Sequence, residues 1–181
     1  RDYTDVDGLV TDVPQLVLTT FYADCVPLFF VDPKNRAIGL SHSGWRGTVG
    51  RISQVTIARM QEEYGSDPKD ILAAVGPSIC QNCYEVSEDV AEAFKDAYLP
   101  EQYMKMTKNI GNGKYLLDLH RANYYNLTGA GILPEHINVT DICTCCNPDF
   151  LFSHRASHGK RGNLGAVIML KSTADGGNVN E

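Results

Sequence analysis

A chain of 181 residues is long enough for one domain with a buried core, and its 43% hydrophobic and 21% charged content is that of an ordinary globular protein. A net charge of −6 and a pI near 5.3 exclude nucleic acid as the main partner, because neutralising phosphates needs a basic face. No apolar run approaches the roughly 18–20 residues of a membrane-spanning helix, and the six cysteines lack the density of a disulfide scaffold, so free thiols in a reducing, cytoplasmic setting are expected.

The sequence opens on Arg1-Asp2-Tyr3 without a methionine and turns at once to strand-like residues. This predicts a single catalytic domain over residues 1–171 that lacks an N-terminal segment of a longer polypeptide; the polar, glycine-rich stretch 172–181 reads as a mobile tail. Short apolar runs at residues 9–11, 16–20, 26–31, 37–40, 71–75, 137–142 and 164–170 predict strands. A helical period over 48–64 carries Val49, Ile52, Val55, Thr56 and Met60, with Gly65 as its stop. A second helix starts at the N-cap Ser87, with Glu88 and Asp89 in its first turn and Val90, Ala91 and Phe94 on its buried face. The third runs from near Asp118 through Leu119, Ala122 and Leu127 to Gly129 or Gly131. Strands and helices mix without strict alternation, which predicts a mixed-sheet α/β sandwich rather than a doubly wound sheet.

The chemistry-bearing residues cluster at strand ends. If 26–31 and 37–40 form a hairpin around Asp32-Pro33-Lys34-Asn35, then Cys25 and His42 meet at one edge of the sheet. A thiol and an imidazole brought together serve either as nucleophile and base or as ligands of a soft-to-borderline metal. Arg46 lies between Gly44 and Gly47 ahead of a helix start, a setting suited to an anion such as phosphate. Trp45 suits either stacking on a planar ligand or core filling. A second basic loop holds Phe152-Ser153-His154-Arg155 and Gly159 to Asn163. Cys80-x-x-Cys83 with Cys143-x-Cys145-Cys146 offers a separate zinc site, but the long gap and the C-x-C-C spacing fit no common zinc knuckle. His120 reads as a surface residue of the third helix.

In order and spacing, Ala23-Asp24-Cys25-Val26-Pro27, His42-Ser43-Gly44-Trp45-Arg46-Gly47, Gly76-Pro77-Ser78-Ile79 with Tyr84-Glu85-Val86, Leu117-Asp118-Leu119, Cys143-Thr144 and Phe152-Ser153-His154-Arg155 resemble the YlmD/YfiH family, also called the laccase-domain or polyphenol-oxidase-like family. The resemblance spans nearly the whole chain. It implies a cysteine-hydrolase-like (CNF/YfiH-like) sandwich and a zinc site made from Cys25, His42 and a histidine of an upstream segment. It also implies phosphorolysis of adenosine, inosine and methylthioadenosine, with adenosine deamination; an older assignment is copper-dependent oxidation of phenols. Three departures stand out. The upstream histidine has no counterpart here, Ser43 and Cys80 replace a usual alanine and glycine, and a C-terminal Gly-Arg-Met pattern reads Gly162-Asn163-Leu164, with Arg161 nearby.

The expected catalytic residues are therefore Cys25, His42 and Asp24, with Cys25 and His42 as metal ligands and Asp24 as a proton carrier or a support of the metal site. Arg46, Trp45 and Arg155 are the expected substrate- and phosphate-binding residues. The expected cofactor is zinc, with copper as the alternative ion, and the partners are a purine nucleoside and phosphate. With two named ligands the chain is expected to hold its metal weakly, His154 or water standing in for the third. The alternatives are a laccase-like copper polyphenol oxidase and a Cys-His amide hydrolase. Five histidines, two of them site-associated, are too few for a mononuclear copper plus a three-copper cluster.

Overall fold

The computed structural model describes residues 6–172, so residues 1–5 and the proposed mobile tail, apart from Ser172, lie outside the described part. Its strands in chain order are β1 Gly8–Thr11, β2 Val17–Tyr22, β3 Val26–Asp32, β4 Ala37–Ser43, β5 Leu72–Val75, β6 Glu85–Ser87, β7 Thr107–Gly111, β8 Lys114–Leu117, β9 Ile137–Val139 and β10 Leu164–Met169. The α-helices are α1 Trp45–Val49, α2 Ile52–Tyr64, α3 Glu88–Ala97, α4 Pro100–Met106 and α5 Leu119–Gly129.

The expected hairpin forms the centre of the sheet. β3 and β4 pair antiparallel from Val26 opposite Ser43 to Asp32 opposite Ala37. Asp32 sets the turn: its carboxylate accepts from the backbone N–H groups of Lys34 and Asn35 and from the Asn35 amide. Such an Asx turn fixes the register, and with it the face each side chain occupies. The sheet order is β1-β4-β3-β5-β9, antiparallel except for the parallel β5–β9 pair.

Both faces of this sheet are covered, which is why β3 and β4 read as continuous apolar runs rather than alternating ones. On one face Leu28, Phe30 and Val75 pack with Ile57 and Met60 of α2, Phe94 of α3 and Leu119 and Leu127 of α5. On the other, Ile38 and Leu40 meet Leu18, Tyr22 and Ala166 of an antiparallel ribbon made by β2 and β10. The result is a mixed α/β sandwich with one mixed sheet, as the strand and helix order predicts.

Three features depart from the sequence reading. The helix expected over 48–64 starts three residues earlier and breaks in two, because Arg51 sits in the left-handed region at φ 59°. Its guanidinium donates to Asn126 Oδ1 and the Ala97 carbonyl and stacks 4.0 Å from the Tyr98 ring centre. Asn126, fully buried, also accepts from the Tyr98 hydroxyl (2.8 Å) and donates to the Thr48 carbonyl (2.8 Å), so a satisfied polar network holds the break. The second departure is a small sheet, β6-β8-β7, together with α4, none of which the apolar pattern marks. The third is His120, which is half-buried rather than on the surface. Its Nε2 meets Ser78 Oγ at 2.5 Å, and burial pulls its pKa below the ordinary histidine value.

Candidate metal and anion site

Continuing the β3–β4 register beyond Val26 and Ser43 places Gly44 opposite Cys25, with His42 opposite Pro27 two residues along. Alternation along a strand then puts Cys25 and His42 on the same face. Gly44 lies between them: a Cβ added there would stand 3.1 Å from Cys25 Sγ and 3.9 Å from His42 Cε1. The thiol and the imidazole therefore flank one position, and the absence of a side chain at Gly44 leaves the space between them open.

The His42 ring is oriented from behind. Its Nδ1 lies 3.0 Å from Asp7 Oδ1, and its backbone N–H donates to the Asp7 carbonyl at 2.7 Å. Among the described residues Nε2 has no hydrogen-bond partner, the carboxylate–histidine arrangement that fixes a metal-ligating tautomer. Asp7 is a site residue that the sequence reading missed. It precedes β1 by one residue, so its place beside His42 is set by the β1–β4 pairing rather than by any local motif. A thiol and a free imidazole nitrogen are a donor set that suits zinc, and copper less selectively. On the His42 side a pocket of ≈ 430 Å³ is lined by Val6, Asp7, Leu9, Thr19, Thr20, Phe21 and His42.

Cys25 is positioned by its neighbour. Asp24 adopts φ 80° and is 8% exposed. Its Oδ1 accepts from the Thr144 hydroxyl and its Oδ2 from the Arg155 backbone N–H, both at 2.7 Å, while its carbonyl accepts from Ile79 N–H at 3.0 Å. Three loops thus converge on the residue before the thiol. Burial first, and then the Asp24 charge, push the Cys25 thiol above its ordinary value, with Arg161 opposing.

The predicted anion-binding residues are arranged unequally. Arg46 is exposed in the first turn of α1, its guanidinium 4.2 Å from the Trp45 ring centre. Trp45 itself is half-buried against the main core, so it both fills space and carries Arg46. The Arg155 guanidinium donates to the carbonyls of Cys83 (3.2 Å) and Glu85 (2.8 Å), which ties the second basic loop to the 83–85 segment. Tyr84 lies where these groups meet. Burial, followed by the Cys25 charge, raises its hydroxyl to about 12 against the pull of Arg155 and Arg46. It too was read only as part of a motif, with no role.

His154 does not join the pair. Its Nδ1 accepts from Arg161 Nε at 3.4 Å, and among the described residues only Cys80, Cys83, Cys143 and Cys146 gather three or more His, Cys, Asp or Glu ligand atoms within 4.8 Å. Two of the departures noted above are absorbed locally. Ser43 is fully buried and bonds Thr48 Oγ1 and Asn123 Oδ1, each at 2.9 Å, and Cys80 has an ordinary extended backbone, φ −77° and ψ 165°.

The fold is a two-faced mixed α/β sandwich in which Cys25 and His42 flank Gly44 at one end of the β3–β4 hairpin, with the Gly44–Gly47 turn following. Residues 1–171 match the family model described as "Multi-copper polyphenol oxidoreductase laccase", and the chain belongs to that family, the YlmD/YfiH family. The chain is 37% identical to purine nucleoside phosphorylase YlmD of Bacillus subtilis (strain 168), over 91% of this chain and 59% of that protein. It is 40% identical to "Adenosine deaminase RL5" from an unknown prokaryotic organism, over 83% of this chain and 56% of that protein. Among solved structures, that of YlmD from Geobacillus stearothermophilus superposes with a TM-score of 0.87 at 38% identity, over 92% of this chain and 62% of that one. The chain thus spans about three fifths of the length of these three relatives. Among the described residues no helix is long and apolar enough to cross a membrane.

Proposed function

We propose that this chain carries the reaction site of a zinc-dependent purine nucleoside phosphorylase acting on adenosine, inosine and methylthioadenosine, with adenosine deamination as a second activity in the cytoplasm. The observation that carries this reading is the Cys25–Gly44–His42 juxtaposition, with His42 Nδ1 held by Asp7. The names of the relatives support the reaction class. Cys25 and His42 would hold the ion, which when bound supplies positive charge and Lewis acidity next to the reacting base.

Phosphorolysis needs an anion placed against the anomeric carbon and stabilisation of a departing purine. Arg46, exposed two residues after Gly44 and braced by Trp45, positions the phosphate. Arg155 supports this role by holding the 83–85 segment and Tyr84 in place, and its remaining N–H groups add to the positive field. Asp24 is a positioning residue: both carboxylate oxygens already accept hydrogen bonds, so its effect on the reaction runs through the placement of Cys25.

Two other readings compete. A copper-dependent polyphenol oxidase draws on the family description, and the four clustered cysteines and five histidines supply no three-copper histidine cluster among the described residues. A cysteine-hydrolase-like reading makes Cys25 a nucleophile and His42 its base.

The test is phosphate-dependent release of base from adenosine. Arg46→Ala raises the KM for phosphate about 10- to 100-fold, the loss of one charge-assisted hydrogen-bonding partner worth roughly 1.5–3 kcal/mol, with much less change in nucleoside KM. Unchanged phosphate KM in this variant would remove Arg46 from the anion site.

A further inference from the structure

We propose that Cys80, Cys83, Cys143 and Cys146 form a second metal site, a closed four-thiolate zinc centre that pins two loops together behind the reaction site. The sequence reading set this aside because the two cysteine groups lie far apart in the chain. The fold removes that objection. β5 and β9 are parallel neighbours, from Ala73 opposite Ile137 to Val75 opposite Val139, and the two segments continue side by side past the strand ends. Thr140 N–H donates to the Val75 carbonyl, Ser78 bridges to Cys143, and Thr144 N–H donates to the Ser78 carbonyl at 3.1 Å. Each segment then turns at once through a C-x-x-C: Cys80 to Cys83 around the turn Gln81–Cys83, and Cys143 to Cys146. The extra Cys145 disguises the second of these as C-x-C-C.

The sulfur geometry is that of a cage. All four Sγ atoms lie within 4.8 Å of one another, with Cys83 to Cys146 at 3.5 Å and Cys80 to Cys146 at 4.0 Å. Four thiolates at about 2.3 Å from a tetrahedral zinc stand about 3.8 Å apart, so these separations bracket the value an ion at the centre requires. The backbone supports one of the sulfurs in the way bound thiolates are supported: Cys143 Sγ accepts from the N–H groups of Cys80 (3.2 Å) and Cys146 (3.4 Å). All six cysteines of the chain are free. Four ligands and no open position define a structural site rather than a catalytic one.

Its position gives it a task. Thr144, inside the second C-x-x-C, donates to Asp24 Oδ1, and Arg155, nine residues beyond Cys146, donates to Asp24 Oδ2 and to the carbonyl of Cys83 itself. Clamping 80–83 to 143–146 therefore fixes the hydrogen bonds that hold Asp24, and through it Cys25. The inference stands apart from the reaction proposed above, since it concerns different ligands and is read by metal content.

The experiment uses zinc itself, with cobalt as a spectroscopic probe. The protein is loaded under reducing conditions, freed of loose metal, and analysed for metal per chain. In the Cys25→Ser, His42→Ala double variant one zinc equivalent remains. Adding Cys146→Ser, a change at an exposed side chain, removes it, whereas adding Cys145→Ser leaves it. Cobalt in the otherwise unsubstituted protein gives the intense thiolate charge-transfer absorption of a tetrahedral sulfur site, a readout that needs no cysteine variant to fold. A double variant that retains no zinc, retention unaffected by Cys146→Ser, or cobalt binding without thiolate charge transfer would each overturn the proposal.

Discussion

Cys25→Ser lowers kcat/KM for phosphate-dependent base release by about 10³-fold or more, equivalent to roughly 4 kcal/mol of lost transition-state stabilisation, and removes the metal associated with His42. Donor chemistry sets the size of the loss. A serine hydroxyl at the same place keeps the shape of the site but stays protonated at neutral pH, and it is a poor ligand for a borderline ion that binds thiolate strongly. The backbone has no reason to change, because Val26 pairs with Ser43 through main-chain bonds and Gly44 gains space rather than losing it. Kinetics and elemental analysis on the same preparation check this. A serine variant that turns over at near the original rate would remove Cys25 from both the metal and the nucleophile readings.

Asp24→Ala has the second-largest effect, and it acts on stability and turnover together. The carboxylate is almost wholly buried and satisfies Thr144 Oγ1–H and Arg155 N–H. Truncation strands one buried and one part-buried donor, each at about 1–3 kcal/mol, so a loss of roughly 2–6 kcal/mol of unfolding free energy is expected from denaturant titration. Alanine is also strained at φ 80°, a conformation that asparagine and aspartate tolerate better. Asp24→Asn separates the roles. It suits the backbone and keeps Oδ1 for Thr144, but it turns an amide N–H toward the Arg155 N–H, so it loses part of the stability. If Asp24 positions Cys25, the asparagine variant loses rate without changing the shape of its pH–rate profile. Disappearance of one limb of that profile, with stability intact, would instead make Asp24 a proton carrier.

The parts of the fold that were legible in the sequence are those where burial on both sides writes a continuous apolar run. β3 and β4 are the clearest case, and their shared turn at Asp32 is the local signal that directs Cys25 and His42 to one end of the hairpin. Helices α3 and α5 were equally plain from Ser87 and Asp118 at their starts. The small sheet was missed for the opposite reason: β7 is largely exposed, so its side chains show no alternation. A signal was nonetheless present, because Asn112-Gly113 joins β7 to β8 with both residues at positive φ, the two-residue hairpin turn that Asn-Gly favours. The break at Arg51 had no local signal beyond Gly50, since what holds it is a network reaching Asn126 and Ala97, 75 and 46 residues further on. Asp7 was hidden likewise, and the four-cysteine group, though its C-x-x-C spacing offers a zinc site, reads as discounted by the long gap between its halves. Both are products of strand pairing across the chain, which spacing along the chain does not encode.

A metal held between Cys25 and His42 is tested most directly by anomalous scattering at the zinc edge from crystals of the zinc-loaded protein. The predicted map has a peak bridging Cys25 Sγ and His42 Nε2, with Nδ1 still paired to Asp7, distinct from the peak expected among Cys80, Cys83, Cys143 and Cys146. A map with density only at the four cysteines, or with His42 turned so that Nε2 faces Asp7 and no ion touches Cys25, would contradict it.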